Sequence, residues 1–351
     1  MPITRTPPHS SRSASTSRRI ARLGAAAALA AALTAPLSLA TTAPAASADP
    51  FTAPPVVSLW HDLPELHASA RVSGLAHDAA GDLWYSDSAL DVLVRVDADT
   101  HVQTSYDIAA KSNVLGMVGT PDGALWFTDS TSHTISRLDP ATGAIVPHTL
   151  SGLSSLPWTV MLGADGGIWL GDPFVGNLVR IDPGTGVLSA VADPTGMPII
   201  DLVAAPDGRL WYVRQGGGNN VVAFDPSTKA FTEVATVDDG YGIAAGKGGS
   251  VWVSGPSRFT EIAIDGSSVI PHPVDLPSPV PSFPHAVLGG DLVGDDDNEL
   301  YFLDSYYGLG TVDSHGTTHF SRLDGTRTAL AFDGLGHLWV NDTWGTSLNW
   351  M

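Results

Sequence analysis

The residues with the greatest chemical potential fall at two repeating positions. The position three residues after a recurring Trp or Tyr holds Asp87, Asp129, Asp172, Arg214, Gly255, Asp304 and Asp342. Five carboxylates at equivalent places can offer oxygen ligands to a hard cation such as Mg²⁺ or Ca²⁺. The plainer reading is that each Asp closes a turn by accepting backbone N–H bonds, because Ser88, Ser130, Ser305 and Thr343 follow. The position eleven residues before the aromatic holds Ser73, Leu115, Trp158, Ile200, Tyr241 and Thr328, with His285 taken as the equivalent where an insertion intervenes. One step further in, Asp201 stands where most other repeats have Gly or Ala. His285 beside a carboxylate could serve as a general base or share a metal with Asp304 and Asp201. Tyr241, Trp158, Arg214 and Arg327 are the expected ligand contacts. The acidic run from Asp291 to Glu299 lacks calcium-loop spacing and reads as a solvated turn. The sequence has no phosphate-binding Gly-Lys-Ser/Thr loop, His-Glu-x-x-His or Gly-x-Ser-x-Gly element.

These positions become neighbours only if the repeat folds as a ring of sheets. Trp84, Trp126, Trp169, Trp211, Trp252, Tyr301 and Trp339 recur at steps of 38 to 49 residues, mostly 41 to 43. Each follows an Asp-Gly-like turn and lies in an alternating apolar run, the signature of propeller blades. In the second repeat the expected strands are 114–119, 124–128, 134–138 and 145–150. Asp139-Pro140-Ala141-Thr142-Gly143 joins the last two, and the turn recurs as Asp182-Pro183-Gly184-Thr185-Gly186. The expected fold is therefore an all-β, seven-bladed β-propeller of four-stranded blades. After Trp339 there is room for one more strand, so the segment 56–63 is expected to complete the last blade and remove open sheet edges. The first strand of each blade then lines a central channel. Its start lies on the same face as the end of the second strand, called here the upper face, and a small-molecule or peptide ligand is expected there.

The bulk composition narrows the partners. The 351 residues are 43% hydrophobic and 15% charged, with 37 Gly and 26 Pro, as a turn-rich globular fold requires. A net charge of −19 repels phosphate backbones, which argues against nucleic acid. There is no Cys, and hence no disulfide or thiolate site. Residues 1–48 read as a signal peptide: Arg5, Arg12, Arg18, Arg19 and Arg22 precede an Ala/Leu-rich run and Ala46-Ser47-Ala48. Cleavage there removes five Arg and no acid, taking the charge to −24 and leaving 49–351 as the secreted propeller without a membrane span. Arg18-Arg19 loosely fits a twin-arginine route, and general secretion is the alternative.

The repeat, with Asp-Gly-Ala-Leu-Trp-Phe-Thr-Asp at 122–129 and Thr-Ile-Ser-Arg-Leu-Asp at 134–139, resembles the streptogramin B lyase (virginiamycin B lyase) family over roughly 56–351. The resemblance implies a monomeric seven-bladed propeller that opens a cyclic depsipeptide by elimination, using Mg²⁺, a catalytic His and nearby carboxylates. Carried onto this chain, it makes His285 the catalytic base and Asp304 the acid ending a second strand, while Phe283 stands where the family has Glu. A metal-assisted lyase, a non-catalytic extracellular binding scaffold and a metal-dependent lactonase-type hydrolase are the three readings the sequence leaves open.

Overall fold

The structure, a computed structural model, describes residues 61–62, 71–150, 159–216, 219–237, 240–246, 248–255, 258–274, 292–295, 299–304, 308–313, 315–321, 327–342 and 348–351. The segment 1–48, Trp158, Phe283 and His285 lie outside these residues, as do the side chains of Asp304 and Arg327.

The described strands form an all-β propeller of four-stranded antiparallel sheets, all but the last a simple meander. We number the sheets 1 to 7 from their first long strand. Sheet 2 illustrates the pattern with strands Val114–Gly119, Leu125–Asp129, Thr134–Asp139 and Ala144–Thr149, each end within one residue of the sequence expectation. In sheet 7, Arg327–Phe332, Leu338–Asp342 and Leu348–Trp350 are joined by His61–Asp62, with His61 opposite Trp350.

The core lies between sheets. Trp126 and Ile135 of sheet 2 are buried with Ile168, Leu170 and Val179 of sheet 3. Likewise Trp339 and Leu348 of sheet 7 pack on Val72, Leu83 and Tyr85 of sheet 1. The second strand is buried on both faces because its sheet is packed between two others: in sheet 2, Leu125 and Phe127 pack with sheet 1 and Trp126 with sheet 3. The outer fourth strand has a mostly exposed pattern.

In four sheets the tight turn before the Trp does a second job. Its Asp accepts the buried indole N–H: Trp84 donates to Asp78 at 2.9 Å, Trp169 to Asp165 at 2.9 Å, Trp211 to Asp207 at 3.2 Å and Trp339 to Asp333 at 2.9 Å. An Arg from a neighbouring strand often pairs with the same carboxylate, as Arg180 does with Asp165 at 2.7 Å. Sheet 2 has Asp122 at that place, but it pairs with Thr120 and Arg137 and leaves the Trp126 indole N–H without an acceptor, while sheet 5 has Gly248 in the place of Asp207. Trp252 is 1% exposed and its indole N–H has no acceptor. An unsatisfied buried donor costs about 1–3 kcal/mol. Gly248→Asp should therefore raise stability by about 1 kcal/mol, a melting shift on the order of 2 °C. Calorimetry reads it directly, and a lower melting point would show that the new carboxylate does not reach the indole.

The turns between third and fourth strands are held by their first Asp. Asp225 accepts the Ser227 N–H at 2.8 Å and its hydroxyl at 2.7 Å, and these bonds pull its carboxyl down to about 2. Left-handed backbone four residues on is met by Gly143 at φ 71°, Gly186 at 70° and, in sheet 4, Lys229 at 61°.

Candidate functional site

The first strands line a channel of about 1320 Å³, with Leu75, Val118, Leu162, Val203, Ala245 and Val293 among its walls. At the upper face this channel opens into a cavity of about 540 Å³ between sheets 2 and 5. The face arises from antiparallel pairing: Val114 sits opposite Asp129, Ile199 opposite Arg214 and Arg327 opposite Asp342. Leu115, Ile199, Ile200, Leu202, Pro173 and Phe174 make the cavity largely apolar. Ser130, His133, Thr159, Asp201, Gln215 and Tyr241 add polar groups. Phe174 is 65% exposed and Tyr241 40%, so two aromatic rings stand at the rim with surface left to cover.

Asp201 is placed by a register shift between Ile199 and Asp201 in its strand, a bulge that re-aims the side chain. Its Oδ1 accepts the Thr159 hydroxyl at 2.7 Å and the Leu202 N–H at 2.9 Å. Its Oδ2 accepts the Ile243 N–H at 2.9 Å. Thr159 and Ile243 lie 42 residues away on either side, one repeat each, so a single carboxylate ties sheets 3, 4 and 5 together. Burial pushes the carboxyl up, against the pull of these three donors. In sheets 2 and 5 a hydroxyl does the corresponding local work: Gly116 N–H donates to Thr128 Oγ1 at 3.0 Å and Gly242 N–H to Ser254 Oγ at 2.8 Å. Sheet 4 has Val213 at that place, which has no hydroxyl, and Asp201 in place of the small residue.

Arg214 is not presented to a ligand. Its side chain is 8% exposed and held by Asp193 at 3.3 Å and Glu233 at 3.0 Å. Asp193 also accepts from the buried Tyr212 hydroxyl and from Thr195. Burial pushes Asp193 up, but the bonds from Thr195 and Tyr212 and the Arg214 charge outweigh it and leave the carboxyl below its ordinary range. The Tyr212 hydroxyl is raised by burial and by Asp193.

The strand-ending carboxylates are engaged in backbone closure where their side chains are described. Asp87 accepts the Arg71 and Ala89 N–H groups, both at 2.9 Å. Asp129 accepts from Asn113 at 2.9 Å and Thr131 at 3.0 Å, and Asp172 from Phe174 at 2.9 Å. Asp304 ends its strand opposite Gly308. Sheet 6 pairs Leu292 with Phe302 as sheet 5 pairs Ile243 with Val253. His285, taken as the equivalent of Tyr241, lies outside the described residues.

The family's Mg²⁺ needs several free oxygen ligands. Among the described residues no group of three or more His, Asp or Glu side chains is arranged to hold a metal ion. Asp201 already accepts two protein hydrogen bonds at Oδ1 and one at Oδ2, and His285 and the side chain of Asp304 lie outside the described residues.

Of the expected ligand contacts, the structure brings Tyr241 to the cavity, with Asp201 behind it, and buries Arg214. In sheet 3 the described lining residue from the start of the first strand is Thr159, next to Trp158 in sequence. His133, Phe174 and Gln215 were missed. His133 carried a legible signal: it stands four residues after Asp129, where Gly176 follows Asp172 and Gly308 follows Asp304.

An all-β propeller with an apolar cavity at one mouth of its channel is a ligand-binding architecture shared by proteins of many activities. The chain belongs to the virginiamycin B lyase family, whose profile matches residues 60–263. Solved structures agree on the fold. A streptogramin B lyase superposes with a TM-score of 0.68 at 15% identity, covering 83% of this chain and 96% of that one. Virginiamycin B lyase from Staphylococcus aureus gives 0.68 at 18% identity, covering 83% and 98%. A catalytically inactive His-to-Ala variant of the Staphylococcus aureus enzyme with quinupristin gives the same values. No curated protein sequence matches this one significantly.

Proposed function

We propose that the protein is an exported propeller that binds a compact, largely apolar peptide or lactone in the upper-face cavity. The observation that carries this reading is the cavity itself, about 540 Å³ with Phe174 and Tyr241 exposed at its edge. Pockets of this size with apolar walls and a few polar groups are where small ligands bury most of their surface. Quinupristin, the compound in the relative's structure, is the first probe. Tyr241→Ala should weaken its binding about ten-fold or more, read by calorimetric titration. A ligand mapped away from the upper face overturns the reading. Export rests on residues 1–48, and a secreted form beginning at Asp49 is its expected product.

Family membership favours a second reading, elimination on a cyclic depsipeptide or related ester with His285 removing the proton. Turnover of quinupristin with and without EDTA, beside His285→Ala, separates lyase, hydrolase and plain binder, since elimination and hydrolysis leave different products. Full activity in the variant rules out His285 as the base.

We also propose that the ring closes as seven blades, with the segment before sheet 1 supplying the outer strand of sheet 7. The pairing of His61 with Trp350 and Asp62 with Asn349 supports this. Deleting residues 49–64 exposes an edge and should lower the melting point by many degrees. An unchanged melting point sinks the closure.

A further inference from the structure

We propose that His133 is a ligand-contacting residue of the upper-face cavity, and that it meets a hydrogen-bonding group of the ligand, such as an ester or amide carbonyl. The inference rests on the cavity reading above and adds a residue that no matching of family motifs selects.

His133 lies in the turn between Leu125–Asp129 and Thr134–Asp139 of sheet 2 and lines the cavity. Its backbone is left-handed, with φ 54°. The repeat explains the conformation. Four residues past the strand-ending Asp, the equivalents are Asp91 at φ 55°, Gly176 at 66° and Gly308 at 93°. The carbonyl there receives a bond that pins the end of the fourth strand: Ile108 N–H to Asp91 O at 2.9 Å, Leu150 to His133 at 3.2 Å and Asp193 to Gly176 at 2.8 Å. The architecture therefore demands a left-handed residue, and Gly adopts that conformation without the Cβ penalty.

What distinguishes His133 is its side chain. Asp91, the other non-glycine among the described equivalents, has an internal task, accepting the Lys111 N–H at 2.8 Å. The His133 ring is exposed and makes no hydrogen bond or ion pair with any described residue. Two other polar groups of the lining are already engaged: Ser130 accepts from Asn113 at 2.7 Å and Thr159 donates to Asp201. The turn thus holds an imidazole where glycine suffices, at the wall of a cavity otherwise dominated by apolar side chains. Asp and His are tolerated in left-handed turns, so tolerance alone permits His133, but it does not account for an unpartnered ring at the cavity wall. An imidazole can donate through one nitrogen and accept through the other, which suits a ligand that carries both carbonyls and amides.

The test uses the secreted chain with quinupristin and the aromatic lactone dihydrocoumarin as probes. His133→Gly keeps the turn and removes the ring. It should weaken binding of at least one probe about ten-fold, with the melting point unchanged or raised by about 2 °C. His133→Asn, which also accepts a left-handed backbone, should recover part of the affinity. In the parent protein the His133 ring proton resonance should shift on adding the probe. Parent-like affinity in His133→Gly, while Tyr241→Ala binds weakly, overturns the His133 assignment and leaves the cavity reading standing. A melting point lowered by more than about 5 °C shows that the ring has structural partners and also overturns it. If neither probe binds the parent protein, the cavity reading falls and this one falls with it.

Discussion

Asp193→Ala should melt roughly 8 °C below the parent protein, the largest effect expected of any single substitution described. Asp193 has no exposed side-chain surface and receives Arg214, Tyr212 and Thr195. Removing it leaves a guanidinium that is 8% exposed with only the solvent-facing Glu233 to balance it. Breaking a buried ion pair from one side costs about 3–5 kcal/mol, because the surviving charge stays buried. At about 2–4 °C per kcal/mol for a domain of this size, the expected shift follows. Arg214→Met, which removes the charge and keeps much of the volume, should cost less, and finding it the costlier of the two would contradict the argument. The pH dependence has a definite sign. The folded carboxyl lies below its ordinary 3.8, so its contribution is complete above that pH and is lost as pH falls through the folded value. The gap between parent and Asp193→Ala should therefore narrow below about pH 3.8 in a series of thermal melts.

Asp201→Ala should cost about 2–3 kcal/mol, a melting shift of roughly 6 °C. The change strips acceptors from the Thr159 hydroxyl and from the Leu202 and Ile243 N–H groups, which lie where sheets 3, 4 and 5 converge. Thr159→Val removes one of those bonds and should cost about 1 kcal/mol. The repeat supplies a sharper control. Asp201→Gly combined with Val213→Thr installs the Gly116 and Thr128 arrangement of sheet 2 in sheet 4. It should recover about 1 kcal/mol relative to Asp201→Gly alone. No recovery would mean that the lateral tie between sheets, rather than local satisfaction of the bulge, carries the stability. Because Asp201 also lines the cavity, a loss of ligand affinity in the same variants is expected as a consequence of the wall moving.

The sequence by itself determined the propeller architecture and its turns. A Trp or Tyr recurring mostly every 41 to 43 residues, an Asp-Gly-like turn before it and an Asp-Pro-x-Thr-like turn after several of them are local signals, and each turn acts within a dozen residues. Asp139, Asp182 and Asp225 hold their turns through atoms two or three positions away, which spacing alone can reveal. The tertiary structure decided what the site is made of. Arg214 stands at the upper-face position of its repeat, yet Asp193, in a different loop, draws it into the protein. Asp201 reads in the sequence as an unusual carboxylate at the channel, yet donors one repeat away on each side engage it as a tie between sheets. His133 and Phe174 enter the lining because sheets 2 and 3 converge on one mouth of the channel. The physical reason is range. Turn and strand preferences come from a residue's own backbone and its immediate neighbours, whereas the fate of a polar side chain depends on which partners from other sheets arrive within about 3 Å of it.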